Sequence, residues 1–178
     1  MISMAVFFWM YVSLFAVVGA LRGWAKELLV TFSVILALFL ITVLESWVPV
    51  VRDTIVATGG TTLFWMRTVI MLALAFFGYQ TPNIRAFQAG SAGRERLQDS
   101  LLGFILGGLN GYLLIGSIWF YMAAANYPFR MITTPQPGDT FFDATQSLLG
   151  ILPPLHLAPP WIYFAVGLAF LFVIVVFI

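Results

Sequence analysis

Apolar positions along this chain gather in long runs without the alternation of a half-buried strand. Five runs reach or approach the roughly 20 residues that carry a helix across a bilayer. They cover residues 1–21, 28–50, 61–79, 100–124 and 161–178. Hydrocarbon offers no partner to an unpaired backbone amide, so runs of this length predict helices. The lack of alternation argues against an outer-membrane barrel. The expected fold is an all-α, polytopic transmembrane helix bundle of about five spans. It divides into a four-span bundle over 1–125, a proline-rich outer loop over 126–160 and a fifth span over 161–178.

The first run has no basic residue before it and no small-residue cleavage site after it, so it reads as a retained span and not a signal peptide. The fifth covers only about 27 Å at 1.5 Å per residue. It ends in an apolar tail without a basic anchor, which predicts that the natural chain continues past Ile178.

Between the runs lie the polar segments. Arg22, Lys26, Arg85, Arg94 and Arg96 fall on one side of the expected bundle; Arg52 and Arg130 fall on the other, with Arg67 inside a span. Basic loops stay cytoplasmic, which places the N-terminus outside and the C-terminus inside. Trp24, Trp47, Trp65 and Trp161 stand near span ends, where interfacial aromatics belong. The loop over 126–160 holds seven of the nine prolines and so forms no regular domain. Within it, Phe141, Thr145, Leu148 and Leu152 share one helical face, and Thr140 and Asp143 have capping-box spacing. Pro153 ends that run. This predicts a short amphipathic helix lying in the outer interface, beside the alternative of an irregular loop.

Composition fixes the solvent. The chain is 62% hydrophobic and 8% charged, against about 25% charged in ordinary soluble domains. The net charge of +1 carries no case for nucleic acid, and with no cysteine there are neither disulfides nor thiolate metal sites.

In a bilayer, helices associate by close packing, which small residues permit. Gly103, Gly107 and Gly111 repeat every fourth residue of the fourth run, and Gly19 and Gly23 form a second such pair at the end of the first. At about 100° per residue, Asp99, Asn110, Ser117 and Tyr121 fall within roughly 40° of Gly103. One face is therefore both small and polar. Asn110 is costly to bury unpaired and is expected to bond a carbonyl or hydroxyl on another helix. The first and fourth spans are expected to approach closely, with Gly107 intolerant of leucine and Gly116 more tolerant.

Glu45 and Arg67 lie at similar depth on consecutive spans, each about 8–9 Å inside the outer boundary. That suggests an intramembrane ion pair, serving either as an anchor or as part of an ion pathway. His156 is the only histidine and makes no metal cluster with scattered carboxylates. No catalytic set, phosphate loop or cofactor motif is present in the sequence.

Two motifs, "GALRGWAKELL" and "DSLLGFILGGLNGYLLI", occur in this order with two spans between them. Together they resemble the colicin V production protein (CvpA) family of bacterial inner-membrane proteins. By that resemblance Arg22, Gly23, Glu27, Asp99, Gly103, Gly107 and Gly111 are signature residues. The family usually has basic residues where this chain has Ser100 and Asn110, and the fifth span and proline-rich loop look like additions. The resemblance implies a non-enzymatic protein of the bacterial inner membrane. With the first and fourth spans packed, Arg22, Glu27 and Asp99 share the cytoplasmic boundary. Arg22 with Asp99 is then a candidate clasp, since a guanidinium can grip a carboxylate at two points.

Three functions follow as alternatives: a CvpA-type scaffold, an accessory subunit of a larger respiratory or photosynthetic membrane complex, or a small channel or transporter. The expected partners are the lipid bilayer and either other integral membrane subunits or further copies of the chain.

Overall fold

A computed structural model describes residues 4–80, 93–129, 132, 136–139 and 142–177, with the side chains of 93–95, 176 and 177 excluded. Arg85, Arg94, Arg130, Thr140 and Phe141, which entered the orientation and capping expectations, lie outside the described residues or side chains.

The described elements are helices α1 (Met4–Arg22), α2 (Trp24–Trp47), α3 (Gly60–Tyr79), α4 (Gly93–Ala124), α5 (Phe142–Leu149), α6 (Pro153–His156) and α7 (Trp161–Phe177). A short π-helical segment, Val51–Val56, joins α2 to α3. Helices α1, α2 and α3 and the stretch Arg96–Ala124 of α4 are each long and apolar enough to cross a membrane. A fifth crossing exists if the stretches Phe142–His156 and Trp161–Val175, bent by 60° to each other, count as one broken span.

Helix α2 is central. Val30, Val34, Ala37, Leu38 and Ile41 form its buried stripe, at the spacing of one helical face. It meets α3, α4 and α7, while α1 lies mainly along α4. The outward residues are equally apolar: Val6, Trp9, Leu14 and Val17 on α1, and Val69, Leu72, Phe76 and Phe77 on α3. An apolar exterior around a partly polar interior suits hydrocarbon as the surrounding solvent.

Three elements depart from the sequence reading. The segment "RGWAK" is not a loop: α1 ends at Arg22 and α2 starts at Trp24, with Gly23 alone between them. Gly23 has φ +87°, a conformation glycine adopts without steric cost. Next, α4 starts at Gly93 and runs for 32 residues, about 48 Å at 1.5 Å per residue. Finally, the proline-rich stretch does not simply lie flat on the outer interface. Helix α5 ends at Leu149, and Pro153 opens α6 instead of merely closing the helix before it; proline suits a first turn because its missing N–H would be unpaired there anyway. The turn between them enters the bundle. The Tyr112 hydroxyl donates to the Ile151 carbonyl, and Tyr112 lies about 18 Å from the Ala124 end of α4 at 1.5 Å per residue. Leu152 and Pro153 are buried, as is Thr145 on α5.

Candidate functional site: two polar layers joined by α2

The α1–α4 contact is made by backbone. A Cβ placed on Gly19 would strike the Gly103 carbonyl and come within 2.7 Å of the Gly107 Cα. One on Gly107 would strike the Phe15 carbonyl and lie 2.8 Å from the Gly19 Cα. One on Gly103 would meet the Gly19 carbonyl, and one on Gly111 would lie 2.8 Å from the Phe15 Cβ. Gly116 has a different neighbour: its Cβ would be 2.9 Å from Pro153 Cδ and 3.3 Å from Leu152 Cδ2. The expected tolerance at Gly116 is thus corrected, because the chain after α5 folds back onto that position.

At the Arg22 end, α4 stitches the break between α1 and α2. Asp99 Oδ1 accepts from the Trp24 backbone N–H at 3.0 Å. The Ser100 hydroxyl donates to the Ala20 carbonyl at 2.9 Å. A helix leaves its first N–H and last C=O groups without intrahelical partners. Here two consecutive residues of α4 supply one partner to each helix. A carboxylate at the start of α2 also complements the helix dipole.

The proposed clasp between Arg22 and Asp99 is therefore revised: Asp99 is engaged by α2's first amide, and Arg22 turns to Glu27. Arg22 Nη1 lies 2.5 Å from Glu27 Oε1. Its Nη2 donates to the Tyr79 carbonyl at 3.2 Å, and the guanidinium sits 4.4 Å from the Tyr79 ring centre. Glu27 is 0% exposed. Its second oxygen accepts from Asn110 Nδ2 at 2.8 Å, which also reaches the Glu27 carbonyl at 2.9 Å. Thr31 Oγ1 donates to Asn110 Oδ1 at 2.7 Å. The network spans α1, α2, α3 and α4. A buried carboxylate is costly unless paired and hydrogen-bonded, and Glu27 has both kinds of partner.

A second layer lies near the other end of α2, about 27 Å from Glu27 at 1.5 Å per residue. Arg67 Nε and Nη2 meet Glu45 Oε1 and Oε2 at 2.6 and 2.8 Å, a two-point grip. The guanidinium stands 4.9 Å from the centre of the Tyr121 ring. The pair borders a cavity of about 250 Å³ whose walls include Thr42, Phe120, Pro154 and Leu157. Each layer thus joins a glutamate of α2, an arginine and a tyrosine face.

The contacts of Thr31, Tyr79, Ser100 and Tyr112 are not visible in the sequence pattern. Tyr79 and Thr31 carry no signal beyond being polar at a span end or among apolar neighbours, and the others act through chain-distant partners. The hydroxyls of Thr68, Tyr79 and Ser117 are buried without a partner among the described residues. His156 is exposed on α6. Among the described residues no group of three or more His, Asp or Glu side chains could hold a metal ion.

Fold and polar layers together define a multi-pass, all-α membrane protein. In comparisons with protein-family models, curated proteins and solved structures, the chain matches none.

Proposed function

We propose that the chain is a non-enzymatic scaffold of the CvpA type in a bacterial inner membrane, with its N-terminus outside. The observation supporting this is how its ionisable groups are used. Glu27 is held by Arg22 and Asn110, Asp99 by the first amide of α2, and Glu45 by Arg67. Each fixes one helix against another. Gentle purification followed by native mass spectrometry tests the reading: a lone chain is expected, and a homo-oligomer with an aqueous axis would favour a channel instead. Orientation is checked separately. The chain has no cysteine, so Gln98→Cys should resist an impermeant thiol reagent in intact cells while Arg52→Cys reacts.

A second reading, an accessory subunit of a larger membrane complex, draws support from α7. That helix packs chiefly on α2 and leaves Phe164, Leu168, Phe170, Leu171 and Ile174 outward. Recovery of a stoichiometric complex in the same purification would favour it.

A further inference from the structure

Outside both polar layers, α2, the end of α3 and α7 enclose a groove of about 370 Å³. Its walls are apolar, with Leu29 and Leu36 from α2, Phe77 from α3 and Ala169 from α7. The polar groups lining it, Ser33 and Gln80, include the residue that closes α3 at the Arg22 end. The groove floor is tight: a Cβ on Gly78 would lie 2.6 Å from Ser33 Oγ. The volume is of the order that holds a small molecule, roughly 300–1,000 Å³. A helix, about 10–12 Å across with its side chains, is too wide for it.

Charge is placed at one end only. Lys26 precedes Leu29 by three residues and Ser33 by seven, so it shares their side of α2, one to two turns nearer the Arg22 end. The ion pairs among the described residues are Arg22–Glu27, Arg52–Asp53 and Arg67–Glu45, and Lys26 belongs to none of them. An apolar slot between spanning helices, with a lysine one turn beyond Leu29 on the same side of α2, has the two chemistries of a lipid molecule in the right order.

We propose that this groove holds an acyl chain of an anionic glycerophospholipid whose phosphate lies against Lys26. Basic sites between spanning helices select anionic head groups by charge, and the apolar walls accept the tail. The lipid site is independent of the scaffold role, so either can fail without the other.

The test uses the full chain in mild detergent with equimolar phosphatidylglycerol and phosphatidylcholine of identical tails. Native mass spectrometry should find the anionic lipid retained about fivefold over the zwitterionic one, the factor that one lysine near an anionic head group supplies. Lys26→Gln should bring that ratio near one while lipid is still retained. Ala169→Leu, which fills the groove, should lower retention of both lipids. A phosphatidylglycerol with a photoreactive tail, applied to the unaltered protein, should label residues within 29–36 and 166–173. Equal retention of the two lipids by the unaltered protein would overturn the proposal. So would an unchanged ratio in Lys26→Gln, or labelling spread evenly over the outward faces of α1 and α4.

Discussion

Asp99 on α4 caps a helix to which it does not belong: its carboxylate holds the backbone N–H of Trp24, the first residue of α2. Gly23, at the N-cap position of α2, has no side chain with which to do this. Its hydrogen is also what lets the carboxylate in, since a Cβ there would lie 2.7 Å from Asp99 Oδ2. The "RG" of the first motif and the "D" of the second are thus two halves of one junction.

Asp99→Ala should therefore lower the thermal midpoint of the purified chain. Loss of an N-cap costs about 1 kcal/mol, or about 2–4 °C for a protein of this size. Asp99→Asn keeps an acceptor and should cost less. A differential scanning measurement that ranks the two equally would exclude a capping role.

Asn110 links α4 to the buried Glu27, so Asn110→Leu leaves that carboxylate short of a donor. Interhelical hydrogen bonds in membrane proteins are worth about 0.6–1.7 kcal/mol, and a loss near the upper end is expected. In a double-mutant cycle with Glu27→Gln the two changes should be non-additive. Simple addition would mean that the two side chains do not interact in the folded protein.

Glycine substitutions should separate by what they meet. Gly107→Leu drives a side chain into the α1 backbone, and Gly116→Leu into Pro153 and Leu152; both should abolish or strongly reduce folded yield. Gly167 has nothing within 4 Å of an added Cβ. Gly167→Leu should keep the folded yield and, by removing a glycine from the interior of α7, raise stability by up to about 1 kcal/mol. Yield from membranes and detergent melting temperature report all three.

Glu45 and Arg67 are each only 18% exposed. Removing one partner strands the other, which costs more than removing both. Arg67→Met should accordingly be more destabilising than the pair Glu45→Gln with Arg67→Met. The reverse order in thermal melts would mean that the pair is solvated and carries little.

Tyr112→Phe removes the hydroxyl that holds the Ile151 carbonyl. The α5–α6 stretch should then exchange amide hydrogens faster, while α1–α4 keep their protection. Uniform exchange in both proteins would indicate that burial of Leu152 and Pro153 alone seats the segment.

The spans were legible because hydrocarbon selects length and apolarity, which a sequence displays directly. That is why α3 and the apolar part of α4 stand where their runs do. The glycine face was legible for a related reason: fourfold spacing fixes direction on a helix without knowledge of the neighbour. What could not be read were partners set by tertiary approach. Arg22 could reach either Glu27 or Asp99 by sequence logic, and the choice depends on α2 beginning one residue after α1 ends. Polar residues at "RGWAK" looked like a loop because the carboxylate that lets a helix start there lies far along the chain. Gly116 looked unconstrained because Pro153 returns to it only in three dimensions.

With Gly23 as the only residue between them, α1 and α2 have no slack to be threaded separately. The two helices form a single tight hairpin about Gly23. Their orientations are therefore inherited together, so any change of flanking charge that inverts one inverts the other. Lengthening the Gly23 joint would uncouple that decision, and with it the alignment of both crossings on α4.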